Sequence, residues 1–189
     1  LQPLDLNPDI VQLMGSVTCE SISSTPQAVV TAMAEVFHGH ADFLNLPLYI
    51  PNDYVRETLC NDANNSVILK KGIFCDKIIA SIGTMGKIRE SDYWRGSMPS
   101  ELYKDLVEKG ACGSILGRFF DANGQELACD WNEKSISLSI QQLRNISDVV
   151  IVASPVSKAP ALLAALKGDF INTLITDGTT ATRILNEAK

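Results

Sequence analysis

Residues 149–187 alternate between two kinds of segment, and this alternation constrains the fold more than any other feature of the chain. "VVIVA" (149–153) is an unbroken apolar run, 157–167 has helical spacing, "NTLIT" (172–176) is a second strand, and 179–187 is a second helix. Strands that are apolar on both sides and separated by helices predict a parallel sheet covered on both faces. Right-handed crossovers follow. The predicted class is α/β, with a Rossmann-like, mostly parallel sheet.

The upstream sequence fits that class. Asp9–Leu13 reads as a short strand, ending in the Gly-, Ser- and Thr-rich stretch 14–26. Thr25 then caps a helix opening on Pro26, with Val29, Val30, Met33, Val36 and Phe37 at helical spacing and Gly39 as its stop. "LPLYIP" (46–51) reads as a strand, 52–62 as a short helix, "DKIIASIG" (76–83) as one continuous strand and 98–110 as a helix. Residues 112–129 read as a β-hairpin arm turning at Asp121-Ala122-Asn123-Gly124, and 135–146 hold a short helix. The whole is predicted to be one α/β domain with a small hairpin insertion.

Bulk properties exclude some functions. Sixteen Lys and Arg against 22 Asp and Glu give a net charge of −6. Gripping nucleic acid through its phosphates takes a basic face, which this chain lacks. No apolar stretch approaches the about 18 residues of a membrane span. The opening "LQPLDLNPD" has neither a cationic n-region nor a start methionine, which predicts a cytoplasmic, signal-free fragment of a longer chain. The five cysteines include no C-x-x-C pair and read as reduced, inert thiols.

In an open parallel sheet, ligands bind beyond the carboxyl ends of the strands. Those positions hold Gly15, Ser16 and Thr18; Gly83 and Thr84; Ser154 to Lys158, including Ser157; and Asp177 to Thr180. Backbone N–H groups, hydroxyls and one lysine suit a phosphate, although Gly, Ser and Thr also simply populate turns. Lys158 is the sharpest position. A cation at a helix start opposes the helix dipole, so it is either a solvated surface lysine or a holder of an anion. Asp177 either caps the last helix or accepts a bond from a ligand hydroxyl. Zinc-ligand spacing, a nucleophile elbow, a Walker loop and a dinucleotide fingerprint are all missing, and no cofactor is expected.

Three segments carry a resemblance: "GACGSILGRFFDANGQEL", "ISLSIQQLRNI" and "VIVASPVSKAPALLAALKGDFINTLITDGTTATRIL". With "VQLMGSVT" and "IIASIGTMG" before them in order, the chain resembles the sugar-binding effector domain of bacterial SorC-type transcriptional regulators, grouped with the DeoR regulators. The resemblance covers residues 1–189. It implies a fold like ribose-5-phosphate isomerase and glucosamine-6-phosphate deaminase, and allosteric binding of a phosphorylated sugar or related metabolite in place of catalysis. It implies a dimer or tetramer, and operator DNA bound through a helix-turn-helix domain absent from this chain. The family's first effector-domain strand and its glycine- and threonine-rich loop fall upstream of Leu1.

Carried over by position, the family's ligand lysine falls on Lys158, its glycine-rich turn on Gly15 and Ser16, one strand end on Gly83 and another on Asp177. The acidic residue that commonly bonds sugar hydroxyls is replaced by Ser114, and the double glycine before the lysine by Ser154-Pro155. Two other readings stand beside the sensor: a sugar-phosphate isomerase or deaminase, and an oligomerisation domain with a degenerate pocket.

Overall fold

The computed structural model describes residues 6–17, 25–88, 94 and 98–189. The chain runs β1 (Asp9–Val11), α1 (Pro26–Phe37), β2 (His40–Asp42), α2 (Asp53–Cys60) and α3 (Ala63–Ile73). It continues with β3 (Lys77–Ala80), β4 (Ile82–Thr84), α4 (Met85–Ile88), α5 (Ser100–Glu108), β5 (Gly113–Ile115) and β6 (Arg118–Phe120). Then come α6 (Asp130–Lys134), α7 (Ile140–Leu143), β7 (Asp148–Val152), a 3₁₀ turn (Val156–Lys158), α8 (Ala159–Lys167), β8 (Thr173–Ile175) and α9 (Gly178–Glu187).

Local chemistry sets these boundaries. Thr25 Oγ1 accepts from Ala28 N at 3.2 Å and starts α1. The left-handed residue that ends α1 is His38 (φ 51°) rather than Gly39. Gly39 is needed for a different reason: Pro8 O lies 2.3 Å from where a Cβ would stand. Helix α3 has no counterpart in the sequence reading. Its first turn holds two asparagines, Asn64 and Asn65, which are poor helix formers, and its apolar residues Val67, Ile68 and Leu69 are consecutive instead of spaced. Asp62 overrides this by accepting from the N–H groups of Asn64 and Asn65.

The described strands form a parallel pair β1-β2, a parallel sheet β3-β7-β8 and an antiparallel sheet β4-β5-β6. The α/β class with parallel sheets and helices is therefore observed, but not as one continuous sheet. The run 76–83 breaks at the exposed Ser81, so Ile78 and Ile79 pair with β7 while Ile82 and Gly83 pair with β5. Residues 46–51 form no regular strand. They run extended with Leu44, Leu46, Leu48 and Ile50 buried in alternation, and make isolated bridges at Pro47 and Tyr49. Pro47 and Pro51 each lack the N–H a ladder needs.

Between β5 and β6 the chain turns through Leu116 (φ 49°) and Gly117 (φ 79°), the double positive φ that matches sheet twist. It turns again at 121–124, where Asp121 Oδ1 accepts from Asn123 N and Gln125 N. Here only Gly124 takes positive φ, and Ala164 O stands 2.4 Å from its would-be Cβ.

The main core lies on one side of β3-β7-β8. Ile78, Val149 and Ile151 pack there with α7, α8 and Ile184 of α9. The opposite face differs from the expected cover on both sides. Ile79, Val152 and Ile175 are 49%, 48% and 54% exposed, and among the described residues no helix lies over them. A second cluster surrounds Trp131, which stacks on Tyr49 at 4.8 Å and donates its indole N–H to Gly117 O at 2.7 Å.

Candidate ligand site

A cavity of about 1370 Å³ opens between α1 and β1 on one side and β3 and β4 on the other. The break at Ser81 positions it. Leaving one sheet and entering another, the chain places Ser81 and Gly83 at the cavity wall. Gly83 stands in register with Ser114 of β5. The Ser114 hydroxyl lies 2.5 Å from where a Cβ on residue 83 would be, so glycine is the residue that lets the two strands close here. Ser114 is 5% exposed and also lines the cavity.

Lys158 reaches the same space from the other direction. It ends the 3₁₀ turn and precedes α8, which begins without a side-chain cap. Its Nζ donates to Ser81 Oγ at 3.1 Å. The other two lysines on the wall are neutralised. Lys71 pairs with Asp42 at 2.6 Å and Asp9 at 3.5 Å, and Lys77 pairs with Asp148. Among the described residues no carboxylate lies within ion-pair reach of Lys158. Burial pushes its pKa below the ordinary lysine value, because a half-buried ammonium loses hydration that nothing of opposite charge replaces.

One further polar group beside this region is unsatisfied. Gln12 is 2% exposed and lines the cavity. Its Nε2 donates to Met14 O at 2.7 Å, while its buried Oε1 has no partner. Buried acceptors are nearly always satisfied, so this oxygen, itself closed off from solvent, is an exception beside the cavity.

The structure thus brings together three of the sequence-derived candidates, Gly83, Ser114 and Lys158, and separates others from them. Gly15 is a crossing point: Gly15 N donates to Ile136 O, and Pro47 O stands 2.5 Å from its would-be Cβ. Ser16 Oγ accepts from Gln27 Nε2, and its backbone bonds to Leu46 and Leu48. Thr84 ends β4 away from the wall, and Ser157 is exposed in the 3₁₀ turn. Thr18 lies outside the described residues.

Asp177 is a cap. Its Oδ1 accepts from Thr180 N at 2.9 Å and its Oδ2 from Thr180 Oγ1 at 2.7 Å, which hold its pKa below the usual carboxylate value. Ser81 and Gln12 were not singled out from sequence. Each is the polar residue inside an apolar run, "IIASIG" and "IVQLM", and that interruption is the readable signal.

The rest of the chemistry is quiet. Among the described residues no group of His, Cys, Asp or Glu could hold a metal ion. Burial raises the pKa of Cys60, Cys75, Cys112 and Cys129, which keeps them protonated and poorly nucleophilic. Among the described residues no helix is long and apolar enough to cross a membrane.

Comparison with known proteins matches residues 6–186 to the family described as "Putative sugar-binding domain". The deoxyribonucleoside regulator of Bacillus subtilis is 28% identical over 179 residues, covering 95% of this chain and 56% of the regulator. A DeoR family transcriptional regulator from Listeria monocytogenes superposes with a TM-score of 0.85 at 26% identity, over 97% of this chain and 71% of that one. The full-length sorbitol operon regulator SorC from Klebsiella pneumoniae shares the fold, with a TM-score of 0.88 at 22% identity over 97% of this chain and 60% of that one. The chain spans about half the length of the curated relatives it matches.

Proposed function

The chain belongs to the sugar-binding domain family of SorC- and DeoR-type transcriptional regulators, and from this premise we propose that it senses a phosphorylated sugar and passes its occupancy to a DNA-binding domain. Lys158 carries the proposal. It is a half-buried ammonium on a cavity wall, bonded to a neutral hydroxyl while the neighbouring wall lysines are already paired. A phosphate supplies the missing charge. Hydroxyl groups of the same ligand suit the Ser114 side chain, a hydroxyl on the same cavity wall. A phosphorylated polyol answers both demands; a free sugar answers only the second.

In this reading residues 1–189 are the effector domain, with a ribose-5-phosphate isomerase- and glucosamine-6-phosphate deaminase-like topology and a small hairpin arm. A helix-turn-helix domain elsewhere in a longer, cytoplasmic, oligomeric protein meets the operator. The net charge of −6 supports leaving DNA contact to another domain. Binding in place of catalysis is supported by Asp177: the carboxylate best placed in sequence to act as a base has both oxygens committed to Thr180. Ligand control of DNA binding then depends on how far affinity differs between the two states of the regulator.

The test is a thermal-shift and calorimetric screen of ribose-5-phosphate, glucosamine-6-phosphate and other phosphorylated sugars beside their free counterparts. A native-state ligand raises the melting temperature. Phosphorylated members are expected to stabilise the protein and free sugars to do so weakly. Equal responses from both sets overturn the phosphate reading, and turnover of either phosphosugar overturns the sensor reading.

A further inference from the structure

Ser81 is the single residue between β3 and β4, and it belongs to neither ladder. It stands exposed on the cavity wall, and its Oγ accepts from Lys158 Nζ at 3.1 Å. A hydroxyl is a donor as well as an acceptor. Among the described residues the Ser81 proton has no acceptor. Accepting from the ammonium occupies the side of the oxygen that faces Nζ, so the O–H proton points elsewhere. The two groups thus present separate donors to one cavity from adjacent positions. The wall continues with Gly83, two residues on, about 6–7 Å further along an extended chain. Across from Gly83, Ser114 is 5% exposed, and among the described residues its hydroxyl also has no partner.

We infer that Ser81 is a specificity-determining residue of this site: its hydroxyl donates to the same anion that Lys158 holds by charge. The inference rests on the phosphate reading of the cavity and names a second residue that reads the anion. Donors to a phosphate stand about 2.7–2.9 Å from its oxygens. An anion oxygen that close to Nζ is also within hydrogen-bond reach of a hydroxyl 3.1 Å from Nζ. Ser81 then serves both states of the site. Without ligand it accepts from the ammonium in the anion's place. With ligand its proton turns to the phosphate, and the ammonium exchanges a neutral partner for a charged one. A carboxylate at this position would neutralise Lys158 and repel a phosphate, and an alanine would neither accept nor donate. The strands do not need this side chain, since β3 and β4 are held by β7 and β5. Past the anion, the absent side chain at Gly83 leaves room for the sugar to run along β4 toward the Ser114 hydroxyl.

The test is calorimetric affinity for inorganic phosphate in the parent, Ser81→Ala, Ser81→Cys, Ser81→Thr and Lys158→Ala, with circular dichroism melting to establish that each is folded. Ser81→Ala is expected to weaken phosphate binding about tenfold, the loss of one hydrogen bond to a charged group. Ser81→Cys, close to serine in shape but a weak donor, is expected to follow Ser81→Ala and stands in for it should alanine disturb folding. Ser81→Thr keeps the hydroxyl and is expected to stay within about threefold of the parent, against that loss of about tenfold. A serine that only tethers Lys158 gives a different pattern, because deleting it frees the ammonium and leaves affinity unchanged or higher. Parent-like affinity in Ser81→Ala and Ser81→Cys, or a threonine variant no better than alanine, overturns the inference. If Lys158→Ala is impaired in the same experiment, the phosphate reading survives that result. Parent-like affinity in Lys158→Ala, or a parent that binds no phosphate, overturns the phosphate reading and this inference with it.

Discussion

Two cations, Arg118 and Lys158, sit in opposite electrostatic circumstances. Arg118 lies among α6, β6 and the following extended segment, with its side chain 13% exposed. It donates to the carbonyl oxygens of Asn132, Ser135 and Ser137 and pairs with Glu126 Oε1 at 2.7 Å. Glu126 in turn accepts from Ile140 N through its other oxygen. Every branch of the fork is used. Lys158 is only half-buried, and it holds a single neutral partner, Ser81. The first arrangement fixes a junction between chain segments and has nothing left to offer a ligand. The second is incomplete by design of its surroundings, and an incomplete site is where a small anion gains most. Withdrawal from water is compensated by carbonyls and a carboxylate at Arg118 and is left uncompensated by charge at Lys158.

Breaking the complete side produces the largest effect. Arg118→Ala strands Glu126 and three carbonyl oxygens in a mostly dry junction. Removing one partner of a buried pair costs about 3–5 kcal/mol, and the low end applies because Glu126 keeps some solvent contact. At roughly 2–4 °C per kcal/mol for a chain of this size, the melting temperature falls by about 6–12 °C. Circular dichroism melting measures it, and a drop under 2 °C removes the contrast between the two cations. Breaking the incomplete side reverses the pattern. Lys158→Ala loses a charge-assisted contact of about 1.5–3 kcal/mol, which is tenfold or more in phosphosugar affinity. Its melting temperature without ligand stays near that of the parent, since no ion pair is lost. Calorimetry with the phosphosugar that gives the largest thermal shift decides it, and unchanged affinity refutes the anion role.

The two regions were also unequally legible in the sequence. The alternation that predicts helices and parallel strands at 149–187 is a local property, and β7, α8, β8 and α9 appear where it places them. Lys158 was readable for the same reason: a cation at a helix start is a local anomaly. Arg118, by contrast, sits in a hairpin sequence with no sign that three carbonyls from residues 132–137 converge on it. The division of 76–83 between two sheets depends on which partners β7 and β5 offer, and no apolar run records that. Gly15 and Ser16 look like a phosphate turn because Gly and Ser suit one, but Pro47 and Gln27 claim them in space. Local pattern reports element type, whereas site membership is decided by long-range crossings.

Asp177 sharpens the comparison at smaller scale. If it serves Thr180 alone, Asp177→Ala lowers the melting temperature slightly as a lost N-cap, and ligand affinity changes by less than about twofold. A loss of affinity as large as that of Lys158→Ala would return Asp177 to the ligand site. Because the cap holds the carboxylate pKa down, this contribution is present above the ordinary aspartate pKa and fades as pH falls through the lowered value.

The smallest expected effect is also the most discriminating, because stability and affinity respond to pH in opposite directions at Lys158. Desolvation lowers the folded-state pKa of this lysine, with no carboxylate to offset it. Between that lowered value and the ordinary lysine value near 10.5, the unfolded chain binds more protons than the folded one, so this group makes stability rise with pH. A bound phosphate favours the ammonium and draws the pKa back up. Affinity is therefore full below the lowered pKa and declines as pH rises through it, before an ordinary exposed lysine would titrate. Lys158→Met removes both trends, so the difference between parent and variant isolates this one side chain from every other titrating group. Affinity that is flat with pH in the parent up to the ordinary lysine range would mean that the ammonium is as well hydrated as a surface lysine, and the contrast with Arg118 would reduce to one of geometry alone.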